Sequence, residues 1–249
     1  MSVPHLTNRR ARLTWLSIAS AGLIACLAWQ FLASAVLSSE GDQKTLARMP
    51  LVFSDNFDVE NPDRYEFADP KAWKWTKAGE RTVLSQFQAS KVENPVRSPF
   101  NRGLVKGLVL GDVVIDIDLQ STIKDYDHRD MCLFFGFQDP SHMYYVHFGK
   151  KADDHANQIF IVDGAPRKKI STKSTAGTNW TDNWHHARVI RRVESGSIEV
   201  YFDDLETPVM TAVDKTFAWG QVGFGTFDDT GNVDNLAVYG VKAERPTAK

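Results

Sequence analysis

The chain has 249 residues, with 29 lysines and arginines against 31 aspartates and glutamates, so its formal net charge is −2. This balance excludes the concentrated basic surface that a nucleic-acid-binding domain needs, and we expect no nucleic-acid partner. Only two cysteines are present, which excludes a fold held together by several disulfides. Roughly 200 residues remain after the first forty, a length that suits one all-β domain with its own core.

The clearest local signal lies near the N-terminus. Arg9, Arg10 and Arg12 precede residues 13–37, which contain no charged side chain. These 25 residues are enough to cross a hydrocarbon core as a helix, for which about 20 suffice. Arginines on one flank stay on the cytoplasmic side. We therefore predict that residues 1–37 are a basic cytoplasmic stub and a single transmembrane or signal helix, with the membrane as a partner and the following domain outside the cytoplasm.

Two other outcomes use the same segment. Ala33-Ser34-Ala35 is a small-residue site of the A-x-A type, and cleavage after Ala35 would leave a secreted or periplasmic protein. Leu23-Ile24-Ala25-Cys26 resembles a bacterial lipobox, in which Cys26 would carry lipid. The sequence leaves the anchored, cleaved and lipidated forms open.

The hydrophobic pattern of the sequence changes after residues 38–50, which are predicted to be a polar linker. Apolar residues then recur with period two in residues 113–120 and 198–203, the pattern of half-buried strands. Residues 131–137 and 142–148 flank the turn sequence Asp139-Pro140-Ser141. We predict that these two aromatic-rich segments form a hairpin.

A second hairpin is predicted from residues 219–227 and 232–239, which flank Asp228-Asp229-Thr230-Gly231. Many short strands separated by turn residues are typical of a sandwich, because each sheet must bury one face. The prediction for residues 51–241 is therefore an all-β, two-sheet antiparallel jelly-roll sandwich. Residues 242–249 are predicted to be a flexible tail.

Several short landmarks occur in a fixed order along this domain. They are Phe53-Ser54-Asp55-Asn56-Phe57, Trp73-Lys74-Trp75, residues 134–139 leading into Tyr144-Tyr145, Trp184-His185, residues 198–204, residues 220–224 and residues 233–238. In this order they resemble the concanavalin A-like lectin/glucanase superfamily, and within it the laminin-G-like and 3-keto-disaccharide hydrolase (DUF1080) group of bacterial secreted proteins. The resemblance implies a jelly roll and often a role near carbohydrate, on a fold that hosts lectins, hydrolases and interaction modules.

The resemblance also directs attention to one carboxylate pair. Glucanases of the superfamily carry a strand motif E-x-D-x-x-E, whose carboxylates supply the nucleophile and the general acid. The nearest match here is residues 115–120, in which Asp116 and Asp118 share a strand face but both glutamates are missing and Gln120 ends the motif. We therefore expect no ordinary glucanase activity, and a solvated strand face explains the two aspartates equally well.

A wider set of polar and aromatic residues is predicted to share one sheet face. The candidate ligand-binding residues are Asp116, Asp118, Tyr145, His147, His186, Arg188, Glu199 and Tyr201. Aromatic rings with planar hydrogen-bonding groups suit sugar recognition, since rings cover the apolar face of a pyranose and charged groups bind its hydroxyls. The alternative is a solvent-exposed face with ion pairs that add little to stability.

Three further features are candidates for chemistry. The loop residues Asp125 to Asp130 and Asp153-Asp154-His155 could supply a general acid or a metal ligand, although neither has a specific ligand spacing and polar surface loops are the alternative. Trp180 lies in a polar stretch and is a candidate for exposed stacking on a sugar. The resemblance implies that the first and last strands meet, which would bring Asp55 near Asp234 as a structural calcium site. No other cofactor is expected.

Three functions follow from these observations. The first is a membrane-anchored extracytoplasmic module that binds carbohydrate without catalysis. The second is a glycoside hydrolase similar to the 3-keto-disaccharide group. The third is a structural or protein-interaction domain without a sugar site.

Overall fold

The structure is a computed structural model that describes residues 49–245. Two short 3-10 turns, Pro62–Arg64 and Pro70–Ala72, accompany strands β1 to β15. The strands are, in order, Leu51–Asp55, Tyr65–Phe67, Trp73–Ala78, Arg81–Gln86, Asn101–Ser121, Asp130–Asp139, His142–Gly149, Gln158–Asp163, Lys168–Lys169, Ser171–Ser174, His185–Arg191, Ser197–Phe202, Met210–Val213, Gly220–Thr226 and Gly231–Lys242. The predicted N-terminal helix and most of the predicted linker lie outside the described residues.

All strand pairs are antiparallel, and two sheets share the long strand β5. In the first sheet the order is β10-β13-β12-β11-β5-β15, and β15 also pairs with β1 and β4. In the second sheet the order is β2-β5-β14-β6-β7-β8-β9. Strand β5 has 21 residues, and it passes from one sheet to the other near Gly107, whose φ of 67° suits a residue without a side chain.

The main hydrophobic core lies between the two sheets. Ile115 and Val189 point into it from the first sheet, and Leu133, Phe135 and Val146 point into it from the second. Each of these residues alternates with a residue on the outer face of its strand, as the period-two pattern predicted. The all-β sandwich expected from the sequence is confirmed, and the residues on its outer faces become the candidates for function.

The second predicted hairpin is wrong, because β14 and β15 do not pair with each other. Strand β14 lies between β5 and β6 in the second sheet, whereas β15 joins β1, β4 and β5 in the first. The connection at residues 227–230 therefore crosses between the sheets. Asp229 holds this crossing by accepting hydrogen bonds from the amide of Asp130 (2.8 Å) and the hydroxyl of Tyr126 (2.7 Å).

Trp180 also differs from expectation. Its side chain is buried, and its indole N–H donates to the carbonyl of Phe148 at 2.7 Å. The ring packs edge-on against Phe202. A polar sequence around a tryptophan did not place it at the surface, because the indole satisfies its one donor inside the domain.

Within residues 49–245, no helix is long and apolar enough to cross a membrane. Cys132 is a free thiol buried in β6, and Cys26 lies outside the described residues.

Candidate functional site: an ion network and a histidine pocket

The first polar cluster lies on the outer face of the first sheet, and we call it the β5–β11 network. Asp116 is paired in register with Arg188, and Asp118 with His186. Arg188 donates two hydrogen bonds to Asp116, from Nε at 2.7 Å and from Nη2 at 3.0 Å. The imidazole of His186 bridges both aspartates, with Nε2 3.1 Å from Asp116 and Nδ1 2.9 Å from Asp118. The cross-strand register thus produces a bidentate and a bridging contact side by side.

The network continues to the edge of the sheet. Arg81 of β4 lies 3.1 Å from Asp118 and 3.2 Å from Asp234 of β15, and Asn235 donates to Asp118. Burial raises the pKa of Asp116, but hydrogen bonds from His186 and Arg188 more than offset this and hold it below its usual value. Most donors and acceptors of this face are therefore already paired with one another.

Glu199 and Tyr201 extend the same outer face on β12. Tyr201 is opposite Arg188 in register, and Glu199 accepts from Arg192 at 3.2 Å. Six of the eight predicted ligand-binding residues therefore share one face, and they form a set of ion pairs and hydrogen bonds.

His186 makes the stability of the domain sensitive to alkaline pH. Its hydrogen bonds to Asp116 and then Asp118 raise its pKa to about 9. Since the unfolded pKa is about 6.5, this stabilisation is fully present below pH ~6.5 and is lost as the pH rises through about 9. The side chain is 35% exposed, so solvent screening limits the effect to about 1 kcal/mol.

We expect the free energy of unfolding to fall by about 1 kcal/mol more between pH 6.5 and 9.5 in the native chain than in His186→Gln. Urea denaturation at a series of pH values measures this difference. His155→Gln, which replaces an exposed histidine, is the matched control and should follow the native chain. Equal slopes for His186→Gln and the native chain would contradict the assignment.

The remaining two predicted ligand-binding residues lie elsewhere. Tyr145 and His147 belong to β7, on the outer face of the second sheet. The expectation of a single face for all eight residues is therefore wrong. Alternation along β7 was predicted correctly, but β7 is not in the sheet that contains β11 and β12.

His147 forms the floor of a small cavity, which we call the His147 pocket. Its lining residues are Arg97, His128, His147, His155, Arg167, Phe227 and Asp228, and its volume is about 130 Å³. His147 is 4% exposed, and its Nε2 lies 2.9 Å from Oδ2 of the fully buried Asp130. Its Nδ1 is buried and has no hydrogen-bond partner within the described residues. An unpaired buried imidazole nitrogen costs free energy, and a ligand group that donated to it would recover part of that cost.

Two arginines form one side of the His147 pocket. The backbone amide of Arg167 donates to the carbonyl of Arg97 at 3.0 Å, which holds the two residues together. Both guanidinium groups lie over the ring of Phe227, Arg167 at 4.1 Å from its centroid and Arg97 at 5.6 Å. Nη1 of Arg167 donates to the hydroxyl of Tyr145 at 3.1 Å, whereas its Nε is buried without a partner among residues 49–245.

Asp228 also lines the pocket, and its carboxylate lies close to those of Asp130 and Asp229. Burial, and then the charge of Asp130, raises the pKa of Asp228 above its ordinary value and that of Asp229 to about 7. Burial opposes ionisation of Asp130 as well, but His147 and the amide of Phe227 hold its pKa low. Asp130 is therefore the ionised member of this acidic group, and it orients His147.

The predicted calcium pair does not have a favourable arrangement. Strands β1 and β15 do pair, but Asp55 accepts from the hydroxyl of Tyr65 at 2.8 Å and lies 2.7 Å from Arg64. Asp234 is paired with Arg81. A guanidinium already neutralises each carboxylate, so these residues do not fit a calcium ion.

Two other sets among the described residues have ligand atoms within 4.8 Å of one another, Asp130 with Asp228 and Asp229, and Asp130 with Cys132 and His147. Sγ of Cys132 and Nε2 of His147 both contact the same oxygen of Asp130, and burial raises the pKa of the thiol well above its usual value. The three groups therefore bond to one another, and the geometry favours a hydrogen-bonded cluster.

Sequence reasoning found part of the His147 pocket. His147 and Tyr145 were predicted, and the loops that contain His128 and His155 were singled out without being connected. His128 precedes β6, His147 lies near the end of β7 and His155 precedes β8. Antiparallel pairing brings these three positions to one end of the sheet, so the predicted hairpin could have indicated that the histidines lie close together. Arg97 and Arg167 come from loops without a sequence signal.

No protein-family model matches the chain, and no curated protein matches it in sequence. Solved structures match it in shape. The basic winged bean lectin with Tn-antigen is 13% identical over 77% of this chain and 98% of the lectin, with a TM-score of 0.50. Lectin I from Ulex europaeus, solved with the methyl glycoside of α-L-fucose, is 12% identical over 75% of this chain and 97% of the lectin, with a TM-score of 0.50. The fold is that of the concanavalin A-like lectins and glucanases.

The carbohydrate-binding module CBM66 from Bacillus subtilis is also similar, at 15% identity over 71% of this chain and 95% of the module, with a TM-score of 0.49. The similarity expected from the order of sequence landmarks is confirmed at the level of the fold. Sequence identities this low show the fold but not the function, which depends on the residues of the site.

Proposed function

We propose that this concanavalin A-like domain binds carbohydrate and that the ligand enters the His147 pocket. The observation that carries the proposal is the buried, unpaired Nδ1 of His147, a residue that lines a cavity. When Nε2 carries the proton that is shared with Asp130, Nδ1 is an acceptor, and a sugar hydroxyl is a suitable donor to it. The fold shared with lectins supports the same ligand class.

The size and chemistry of the pocket limit how a sugar is bound. A cavity of about 130 Å³ admits one edge of a sugar ring, with the rest of the saccharide at the surface. Arg97 and Arg167 present planar sets of N–H donors, which suit pairs of ring oxygens and hydroxyls. The β5–β11 network is the second candidate surface, but its carboxylates and guanidinium groups already bind one another.

Replacing His147 tests the proposal directly. We expect His147→Gln to lower the affinity for the best glycan at least tenfold, because the amide keeps a donor for Asp130 but does not present an acceptor at the position of Nδ1. Binding of the full-length chain in mild detergent to a glycan array, followed by titration calorimetry, measures the effect.

Two matched variants complete the experiment. His142→Gln replaces another histidine of β7, which contacts Asp139 at the hairpin turn, and should bind like the native chain. Arg188→Ala tests the β5–β11 network and should also bind normally. If Arg188→Ala loses binding while His147→Gln keeps it, the ligand site lies on the other sheet.

A second function, glycoside hydrolysis, is favoured by the same Asp130–His147 pair. A histidine of a cavity lining with one nitrogen on a buried carboxylate and the other unpaired has the arrangement of an oriented general base. Release of product from a 3-keto-glycoside that stops in His147→Gln would establish this activity. A domain that neither binds nor cleaves any glycan would instead be a structural or protein-interaction module.

We also propose that residues 1–37 anchor the domain to a membrane, which the uncharged segment after three arginines supports. The mass of the mature protein tests this, because cleavage after Ala35 or lipid on Cys26 would each give a distinct value. An unprocessed mass with recovery in the membrane fraction is the expected result.

A further inference from the structure

The His147 pocket has more positive charge at its opening than a neutral sugar requires. Arg97 and Arg167 lie side by side, and neither guanidinium forms an ion pair with a carboxylate of residues 49–245. By contrast, Arg64, Arg81, Arg129 and Arg188 each contact an aspartate. Arg102, Arg191 and Arg245 also lack a carboxylate partner in this part of the chain, but they donate to carbonyl or amide oxygens. Arg97 and Arg167 differ from these three because they line the same cavity.

The position of Arg167 makes its lack of an anion costly. Its guanidinium is half-buried over the rings of Phe160 and Phe227 at 5.0 and 4.1 Å. Its Nε is buried and has no acceptor among residues 49–245, while its Nη1 is bonded to Tyr145. Ring contacts hold the guanidinium in place, so a residue of the cavity lining carries a fixed, unpaired donor. An oxyanion accepts two parallel N–H bonds from such a group.

Histidines and one carboxylate also line the pocket. His128 and His155 lie at the rim, and His128 contacts Asp153 at 2.9 Å. Asp228 is the carboxylate that shares the pocket lining with them. Burial and then the charge of Asp130 raise its pKa, whereas His147, Arg167 and Arg97 act in the opposite direction.

We propose that the His147 pocket recognises an acidic saccharide, with the oxyanion of the sugar bound by Arg97 and Arg167 and a neighbouring hydroxyl bound by Nδ1 of His147. This inference rests on the proposed function and specifies its ligand class. Uronates and sulfated sugars carry the shared chemistry, an oxyanion next to ring hydroxyls. The fixed arginine pair determines that the ligand is acidic, and His147 determines how the sugar ring is oriented in the pocket.

The test compares matched polysaccharides on the full-length chain. A uronate polysaccharide and its carboxyl-reduced form are titrated in parallel, together with a sulfated polysaccharide and its desulfated form. We expect at least 30-fold tighter binding to an acidic form than to its neutral partner, and the arm with the larger ratio identifies the oxyanion. The preference should weaken as salt is added, because charge–charge attraction is screened.

Variants assign the preference to the pocket. Arg167→Gln and Arg97→Gln should each reduce the acid-to-neutral ratio at least fivefold. Lys173→Gln removes a positive charge from an exposed edge strand of the other sheet and should leave the ratio unchanged. A thermal melt of each variant shows that a lost preference is not lost folding, and Arg97, which is exposed, is the safer of the two positions.

Three results would overturn the inference. Equal affinity for acidic and neutral forms would leave the pocket a neutral-sugar site, with the proposed function intact. Binding of inorganic sulfate or phosphate as tightly as the acidic polysaccharide would show that the sugar ring is not recognised. Absence of binding to every glycan, acidic or neutral, would remove the proposed function as well.

Discussion

Asp130→Ala is expected to lower the free energy of unfolding by about 3 kcal/mol or more, because each buried donor left without its acceptor costs about 1–3 kcal/mol. Asp130 is completely buried. Its Oδ2 accepts from the amide of Phe227 at 2.9 Å, contacts Sγ of Cys132 at 3.3 Å and lies 2.9 Å from Nε2 of His147. The alanine variant leaves these three buried groups without their acceptor. Urea denaturation at pH 7 measures the loss.

Asp130→Asn separates charge from hydrogen bonding at this position. All three contacts converge on Oδ2, so the amide oxygen of asparagine can replace it while the amide nitrogen takes the place of Oδ1, which has no partner among the described residues. We expect the asparagine variant to lose much less stability than the alanine variant. Asp163→Ala removes an exposed aspartate that contacts His142 at 3.9 Å and should change stability by less than about 0.5 kcal/mol. Equal losses for Asp130→Ala and Asp163→Ala would contradict the assignment.

Gly220→Ala is the second variant with a large expected effect. A Cβ atom at residue 220 would lie 2.1 Å from the carbonyl carbon of Gly136 and 2.3 Å from the amide nitrogen of Phe137. Both are backbone atoms of β6, so β14 and β6 would have to separate. We expect a loss of roughly 3 kcal/mol or more, because overpacking that moves backbone is among the costliest core changes. The midpoint of thermal unfolding shows the effect.

Gly111→Ala is the matched control for this steric argument. A Cβ atom at residue 111 would lie 3.5 Å from the carbonyl oxygen of Ala218 and 3.8 Å from a methyl group of Val193, which are ordinary contacts. The variant should unfold near the native midpoint. If Gly111→Ala is as unstable as Gly220→Ala, close approach of β14 to β6 does not explain the requirement for glycine.

The period-two alternation of the sequence predicts much of the fold but little of the His147 pocket. Alternation placed Ile115, Val146 and Val189 in the core and their neighbours on outer faces, because side-chain period is a property of a single strand. It could not assign β7 to the second sheet, because sheet membership depends on pairing between strands far apart in the sequence. His147 was therefore predicted to face ligand, but beside the wrong partners.

The crossing between β14 and β15 shows the same limit. A turn sequence between two apolar segments predicts a hairpin when only local geometry is considered. Here Asp229 accepts from Asp130 and Tyr126, so the segment is held by contacts with another part of the chain. These contacts bring Phe227 and Asp228 to the His147 pocket, and no single-sequence signal distinguishes such a crossing from a turn.

The pairing of β1 with β15 has a mechanical consequence. Leu51 is opposite Tyr239, and the amide of Gly240 donates to the carbonyl of Pro50 at 3.0 Å, so the chain enters and leaves this strand pair at the same end. A pulling force applied between residues 49 and 245 would load these hydrogen bonds one after another, as in opening a zipper. Rupture of this strand pair would therefore begin at Pro50 and Gly240. On the C-terminal side, the force would also load the hydrogen bonds from Ala243 to Val109 and from Arg245 to Gln221.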